Sequence, residues 1–156
     1  MHTTLIAYAS RRGSTRSCAE LIAQHIPGGA DVVDLSKKQP DVQAYQKVVL
    51  GANAIIGKLN PRLIRFAKAN QEPLKGKTVH LFMCCGENDP TVQEQIFTAS
   101  LPPELLSQAR SRVSLGGRLQ AKGESFLLRL MLRMVGKVND YDTIDPQGVI
   151  SWAKSL

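Results

Sequence analysis

Short apolar runs separated by amphipathic stretches recur from end to end of this 156-residue chain, and no other feature limits its fold so tightly. The runs are Thr4–Tyr8, Ala30–Leu35, Val48–Ala52, Val79–Cys85 and Val113–Gly117. Several are continuously apolar rather than alternating, the pattern of strands buried on both faces of a parallel sheet. After the first run, Cys18, Leu21, Ile22, His25 and Ile26 follow helical spacing, and Pro27-Gly28-Gly29 stops that helix. Asn60-Pro61, Asp89-Pro90 and Asp145-Pro146 each offer a capping side chain followed by proline at a first helical position. The alternation predicts one α/β domain over residues 1–156: an open, doubly wound sandwich of five parallel strands with helices on both faces. No repeat or linker divides it.

In such a sheet, ligands bind beyond the carboxyl ends of the strands, where the strand order reverses. With strand order 2-1-3-4-5 that crevice lies between strands 1 and 3. The loops that border it are Ala9–Thr15, Asn53–Asn60 and Cys85–Asp89.

The first loop reads Ser10-Arg11-Arg12-Gly13-Ser14-Thr15. It lies between a strand and a helix start, where unpaired backbone N–H groups and the helix dipole favour an anion. Gly13 lets the backbone close around a phosphate, and Ser10, Ser14 and Thr15 offer hydroxyls. The alternative is that Ser14 or Thr15 merely caps the helix. Other phosphate motifs fail on spacing. No G-x-G-x-x-G follows the first strand. Gly51 stands one residue too far from Gly57-Lys58 for a nucleotide P-loop, and Gln71 occupies the first-glycine position before Gly76-Lys77-Thr78. Strand 3 ends in Gly51-Ala52 without the aspartate of a phospho-acceptor, and neither Cys84 nor Cys85 begins the C-x5-R of a small phosphatase.

Ser10-x-x-Gly13-x-Thr15 after the first strand resembles the FMN phosphate loop of the flavodoxin family, with Arg12 where a third hydroxyl usually stands. "GANAIIGKL" at Gly51–Leu59 is similar to that family's flavin loop after strand 3. "GGRL" at Gly116–Leu119 with "FLLRLMLRMVG" at Phe126–Gly136 resembles the branch that includes bacterial menaquinone-dependent protoporphyrinogen oxidases, although "CCGENDPTVQEQ" is shorter and more acidic than the oxidase segment at that place. The resemblance covers nearly the whole chain and implies a flavodoxin-like fold with one FMN. It puts the phosphate on Ser10–Thr15. The ring would lie between Ala52, Asn53, Ala54, Ile55, Gly57 and Lys58 on one side and Cys85, Gly86, Glu87 and Asn88 on the other. Neither loop carries an aromatic ring to stack on the flavin. The implied function is electron transfer or a small oxidoreductase activity, with a redox partner protein or a quinone as partner. No catalytic acid or base stands out.

The formal charge is +7. Acidic flavodoxins destabilise the reduced, anionic flavin; Arg11, Arg12 and Lys58 near it would do the reverse. At about 8 Å and an effective dielectric of ~20, each charge contributes roughly 2 kcal/mol before screening. That suits an acceptor of electron pairs. Cys84-Cys85 at the end of strand 4 reads either as a thiol beside the flavin or as two small core residues, and Cys18 falls on the core stripe of helix 1.

Composition narrows the rest. An odd count of cysteines agrees with a reducing compartment, and no Cys/His cluster has zinc spacing, so no metal is expected. No run reaches the length of a membrane span, and no apolar signal core opens the chain, so a cytoplasmic address is expected. Within Phe126–Val135, apolar residues cover most of the helix and leave a narrow stripe with Arg129 and Arg133. That stripe reads as packing with snorkelling arginines or as peripheral membrane contact. Aromatics at 5% and dispersed basic residues give no reason to expect nucleic acid as a partner of the flavin protein. A reading from a different class remains open: a basic binding module that keeps the fold without flavin and meets an anionic membrane, nucleic acid or a protein.

Overall fold

The computed structural model describes residues 2–119 and 141–156. Phe126–Val135, the basic apolar stretch, lies outside the described residues. The elements are β1 (Thr4–Ala9), α1 (Ser14–His25), β2 (Asp31–Asp34), β3 (Lys47–Ile55), β4 (Lys58–Leu59), α2 (Pro61–Ala69), α3 (Gln71–Leu74), β5 (Thr78–Cys84), α4 (Pro90–Ser100), α5 (Pro103–Gln108), β6 (Ser111–Ser114), β7 (Arg118–Leu119), β8 (Tyr141–Asp142) and α6 (Pro146–Ser155).

Five parallel strands run in the order β2-β1-β3-β5-β6, which is the 2-1-3-4-5 order of a flavodoxin-like sheet. β4 folds back antiparallel on β3, and β7 pairs with β8 in a separate ribbon. The fifth parallel strand is Ser111–Ser114, not the apolar run Val113–Gly117. It is an edge strand with exposed Arg112, so apolarity does not mark it, and Gly116 at φ +85° ends any extension.

Side chains alternate across the sheet. Leu5, Ala7, Leu50 and Leu81 face one way and pack with Leu63 and Phe66 of α2, Leu74 of α3, and Ile96 and Phe97 of α4. Ile6, Tyr8, Val49 and Phe82 face the other way, against Cys18 and Ile22 of α1 and Val149 and Ala153 of α6. Leu5, Leu50 and Ile22 are fully buried, each stabilising the fold by about 1.5–3 kcal/mol. These two cores fix β1, β3 and β5 rigidly, and their carboxyl ends carry the loops of interest.

The three Asx-Pro starts are helix caps. Asn60, Asp89 and Asp145 accept hydrogen bonds from Arg62, Thr91 and Gln147 backbone N–H groups. Among the described residues, no helix is long and apolar enough to cross a membrane.

Candidate functional site

β1 delivers the chain to Ser10, and α1 begins four residues later. Gly13 is the residue before the helix and sits at φ +91°, a left-handed conformation that costs an L side chain about 1–2 kcal/mol. Its N–H donates to Ser10 Oγ at 3.0 Å, which closes the loop on itself. The Ser17 N–H and hydroxyl both donate to the Gly13 carbonyl. The amides of the preceding first turn therefore lie at the open end of the helix, where a dipole and free donors favour an anion.

Neither Ser14 nor Thr15 caps α1; no side-chain cap bond is made there. Both side chains are buried instead, Thr15 completely. The Thr15 Oγ1 has no hydrogen-bond partner among the described residues. It stands near enough to Cys84 to bias that thiol, without a hydrogen bond of normal geometry. A buried hydroxyl left unsatisfied costs about 1–3 kcal/mol. This one stands one residue inside the start of α1.

The second wall comes from β3. Asn60 Nδ2 donates to Asn53 Oδ1 at 2.8 Å, and the Asn60 backbone N–H donates to the Asn53 carbonyl. The pair clamps the β3–β4 hairpin while Asn60 caps α2. The hairpin turn is Ile56-Gly57, with φ +54° and +78°, both positive as in a type I′ turn. Ile56 is one of the few large apolar side chains left exposed among the described residues.

The third wall is the end of β5, and it brings the cysteines together. Cys84 donates to Cys18 across 3.7 Å of sulfur–sulfur separation. That contact, then burial, pushes the Cys84 thiol well above its ordinary range, while Cys18 is lowered, chiefly by the same hydrogen bond.

These walls enclose a cleft of about 40 Å³ lined by Arg11, Arg12, Ser14, Asn53, Ala54, Ile55, Cys84, Cys85, Gly117 and Arg118. At ~10–15 Å³ of such space per water, it has room for about three waters, the scale of a small anion. No carboxylate is among its described lining residues. Ser10, Gly13 and Thr15 belong to the same loop and helix start but are not among the cleft's described lining residues. Ala52 is buried in β3 beneath it, and Gly57 and Lys58 stand on the exposed hairpin.

The loop after β5 divides. Cys85 lines the cleft and Gly86 lies against Gly117, but Glu87 and Asn88 line a separate hollow of about 410 Å³ with Gln93, Thr143 and Trp152. The Glu87 carboxylate accepts from the Asn88 and Asp89 backbone N–H groups, which holds it there. A larger open groove of about 660 Å³ runs along edge strand β2, between Tyr8, Arg16, Asp34 and Lys37. The cleft is nonetheless the place where loops from three adjacent strands converge at the reversal of strand order.

Gly117 and Arg118 are site residues that loop reasoning misses. A side chain on Gly117 would fall 2.5 Å from the Cys85 carbonyl carbon, and one on Gly116 would fall 2.3 Å from the Thr143 oxygen. The glycine pair lets this segment close over Cys85 and present Arg118, which also pairs with Asp142 at 3.0 Å. The signal was the Gly116-Gly117-Arg118 string itself.

A family model described as "Flavodoxin domain" matches residues 5–145. Among curated proteins, none matches. The chain is similar in structure to a Fusobacterium nucleatum flavodoxin bound to flavin mononucleotide, with a TM-score of 0.60 and 12% identity over 99% of this chain and 96% of that one. It is similar to oxidised flavodoxin 1 from Bacillus cereus, with a TM-score of 0.56 and 19% identity over 86% and 95%. It also aligns with rubredoxin oxygen:oxidoreductase from Desulfovibrio gigas, with a TM-score of 0.56 and 12% identity, where 97% of this chain spans only 36% of that longer one.

Proposed function

Because the chain belongs to the flavodoxin domain family, we propose that it binds one FMN at the cleft and serves as an electron-transfer protein or small oxidoreductase. The observation that carries this reading is the Thr15 hydroxyl, fully buried, unsatisfied among the described residues and set inside the open end of α1. The residues present fit the phosphate. The first-turn amides and the hydroxyls of Ser14 and Thr15 would hold it, with Gly13 supplying the backbone conformation and Arg11 and Arg12 the positive charge.

A cleft of about 40 Å³ is far below the ~300–1,000 Å³ of sites that enclose a drug-sized ligand. The ring would therefore rest against the outer edges of the loops, with the Ile56-Gly57 hairpin on one side and Cys85-Gly86 on the other. When bound, FMN supplies one- and two-electron chemistry. The chain's part is electrostatic. Arg11, Arg12 and Arg118 line the cleft and raise the local potential, which favours negative charge there. Asp142 offsets part of the Arg118 contribution.

The proposed electron partners are a redox protein or a quinone. The quinone rests on the resemblance of Gly116–Leu119 and Phe126–Gly136 to the quinone-linked protoporphyrinogen oxidase branch. The test is a spectrum of the purified protein followed by a reductive titration with FMN. Flavin bands, and a last one-electron potential above that of acidic flavodoxins, support the reading; a potential as low as theirs contradicts the electrostatic account. The small cleft and missing stacking aromatics favour a second reading, a flavin-free basic module. A colourless protein that takes up no FMN would select it.

A further inference from the structure

Cys18 and Cys84 come from different elements, the middle of α1 and the end of β5, and meet with their sulfurs 3.7 Å apart. Core cysteines normally pack against carbon. These two face each other, 2% and 3% exposed, and Cys84 also lines the cleft. Cys18 stands one helical turn beyond Thr15, so α1 ties this sulfur to the anion cradle. Cys85, the remaining free cysteine, turns instead toward Ser114 Oγ at 3.7 Å.

We propose that Cys18 and Cys84 are a dithiol–disulfide couple, closed by hydrogen peroxide, an oxidant small enough for the cleft, and that closure repositions the first turn of α1. The chemistry balances as a two-electron oxidation of a dithiol. The Cys84 sulfur attacks one peroxide oxygen; the O–O bond breaks, and the departing hydroxide leaves as water with the Cys84 thiol proton, so Cys84 becomes a sulfenic acid. The Cys18 sulfur then attacks the Cys84 sulfur; the S–O bond breaks, and that hydroxide leaves as a second water with the Cys18 thiol proton. Two protein thiols are oxidised to one disulfide, and one peroxide is reduced to two waters. The direction of the two shifts, Cys18 lowered and Cys84 raised, makes Cys18 the readier thiolate for the second step, while Cys84 meets the oxidant first because it lines the cleft. Bonding at about 2.05 Å needs the sulfurs to approach by roughly 1.7 Å; in the proposed closure α1, which carries both Cys18 and Thr15, supplies part of that approach.

The native protein is treated with hydrogen peroxide at graded doses, unfolded in an alkylating quench and weighed. At the higher doses we expect two of the three thiols to become unreactive and a tryptic species to join the Cys18 peptide to the Cys84–Cys85 peptide. Cys85→Ser should close the same bond, whereas Cys18→Ser and Cys84→Ser should not. Three alkylated thiols at every dose, or oxidation at Cys85 alone, would overturn the couple. Hydrogen exchange over residues 13–18 should differ at least tenfold between the two forms; unchanged exchange would overturn the link to the cradle. None of these readings requires FMN. A protein that closes the bond yet takes up no flavin would remove the flavin reading and leave this one intact.

Discussion

The ring of Phe82 fills the space that a side chain on Gly51 would need: a Cβ built there falls 2.0 Å from Phe82 Cζ. The two residues are register partners on β3 and β5, and Phe82 is fully buried in the core under α1 and α6. Glycine is required at position 51 by this approach, not by backbone conformation. Gly51→Ala should lower stability by about 1–3 kcal/mol, the cost of overpacking a filled core. The urea midpoint should fall with an unchanged slope. Gly51→Ala with Phe82→Leu should recover part of the loss, since the two sites share one volume. An unaltered midpoint for the single variant would contradict the packing.

His80 makes stability depend on pH. It is buried in β5, its Nδ1 lies 2.7 Å from Ser111 Oγ, and its ring meets the edge of Trp152. Burial, then the charges of Lys47 and Arg110, hold its pKa below the ordinary 6.5. The unfolded chain therefore binds the proton more readily than the folded one. The contribution is intact above about pH 6.5 and is lost as pH falls through the lowered folded value. Melting temperature should drop on acidification from pH 7.5 towards 5.5, and His80→Asn should flatten that part of the profile. A variant with the wild-type slope would exclude His80 as the source.

Ile56 holds a conformation that its side chain disfavours. A β-branched residue at φ +54°, exposed at a hairpin tip, adds nothing to the core. Ile56→Asn restores the residue type preferred in a type I′ turn and should stabilise the free protein by about 1 kcal/mol. The same change removes an exposed apolar side chain from the edge where the ring would rest, so FMN affinity should fall severalfold. A variant that loses stability would contradict the strain.

Much of this was legible in the sequence because it rests on local chemistry. The continuous apolar runs marked the buried strands, and Asn60, Asp89 and Asp145 before prolines marked three helix starts. What was missed has physical reasons. The edge strand Ser111–Ser114 needs no apolar run because only part of it is covered. The short helices α3 and α5 contain proline at Pro73 and Pro103, which reads as a break. Ile56-Gly57 does not look like a hairpin turn, since isoleucine rarely takes positive φ. Around the cleft, Arg11, Arg12 and Ser14 meet Asn53, Ala54, Ile55 and Cys85, as adjacent parallel strands require. Glu87 and Asn88 turn away because the chain must reach the cap of α4, a three-dimensional constraint that spacing does not carry. Likewise the contact between Cys18 and Cys84, 66 residues apart, exists only once α1 lies across the sheet.

Thr15 is the most direct probe of the proposed phosphate cradle. Calorimetric titration with FMN and with riboflavin, which lacks the phosphate, should be run on the wild-type protein and on Thr15→Val. The account predicts micromolar or tighter FMN binding by the wild type and riboflavin binding weaker by about 100-fold or more, as expected when several charge-assisted hydrogen bonds of ~1.5–3 kcal/mol are lost. Thr15→Val should weaken FMN about tenfold while leaving the free protein as stable or more so, because it removes an unsatisfied buried hydroxyl. Equal affinity for the two flavins, or no binding of either, would contradict it.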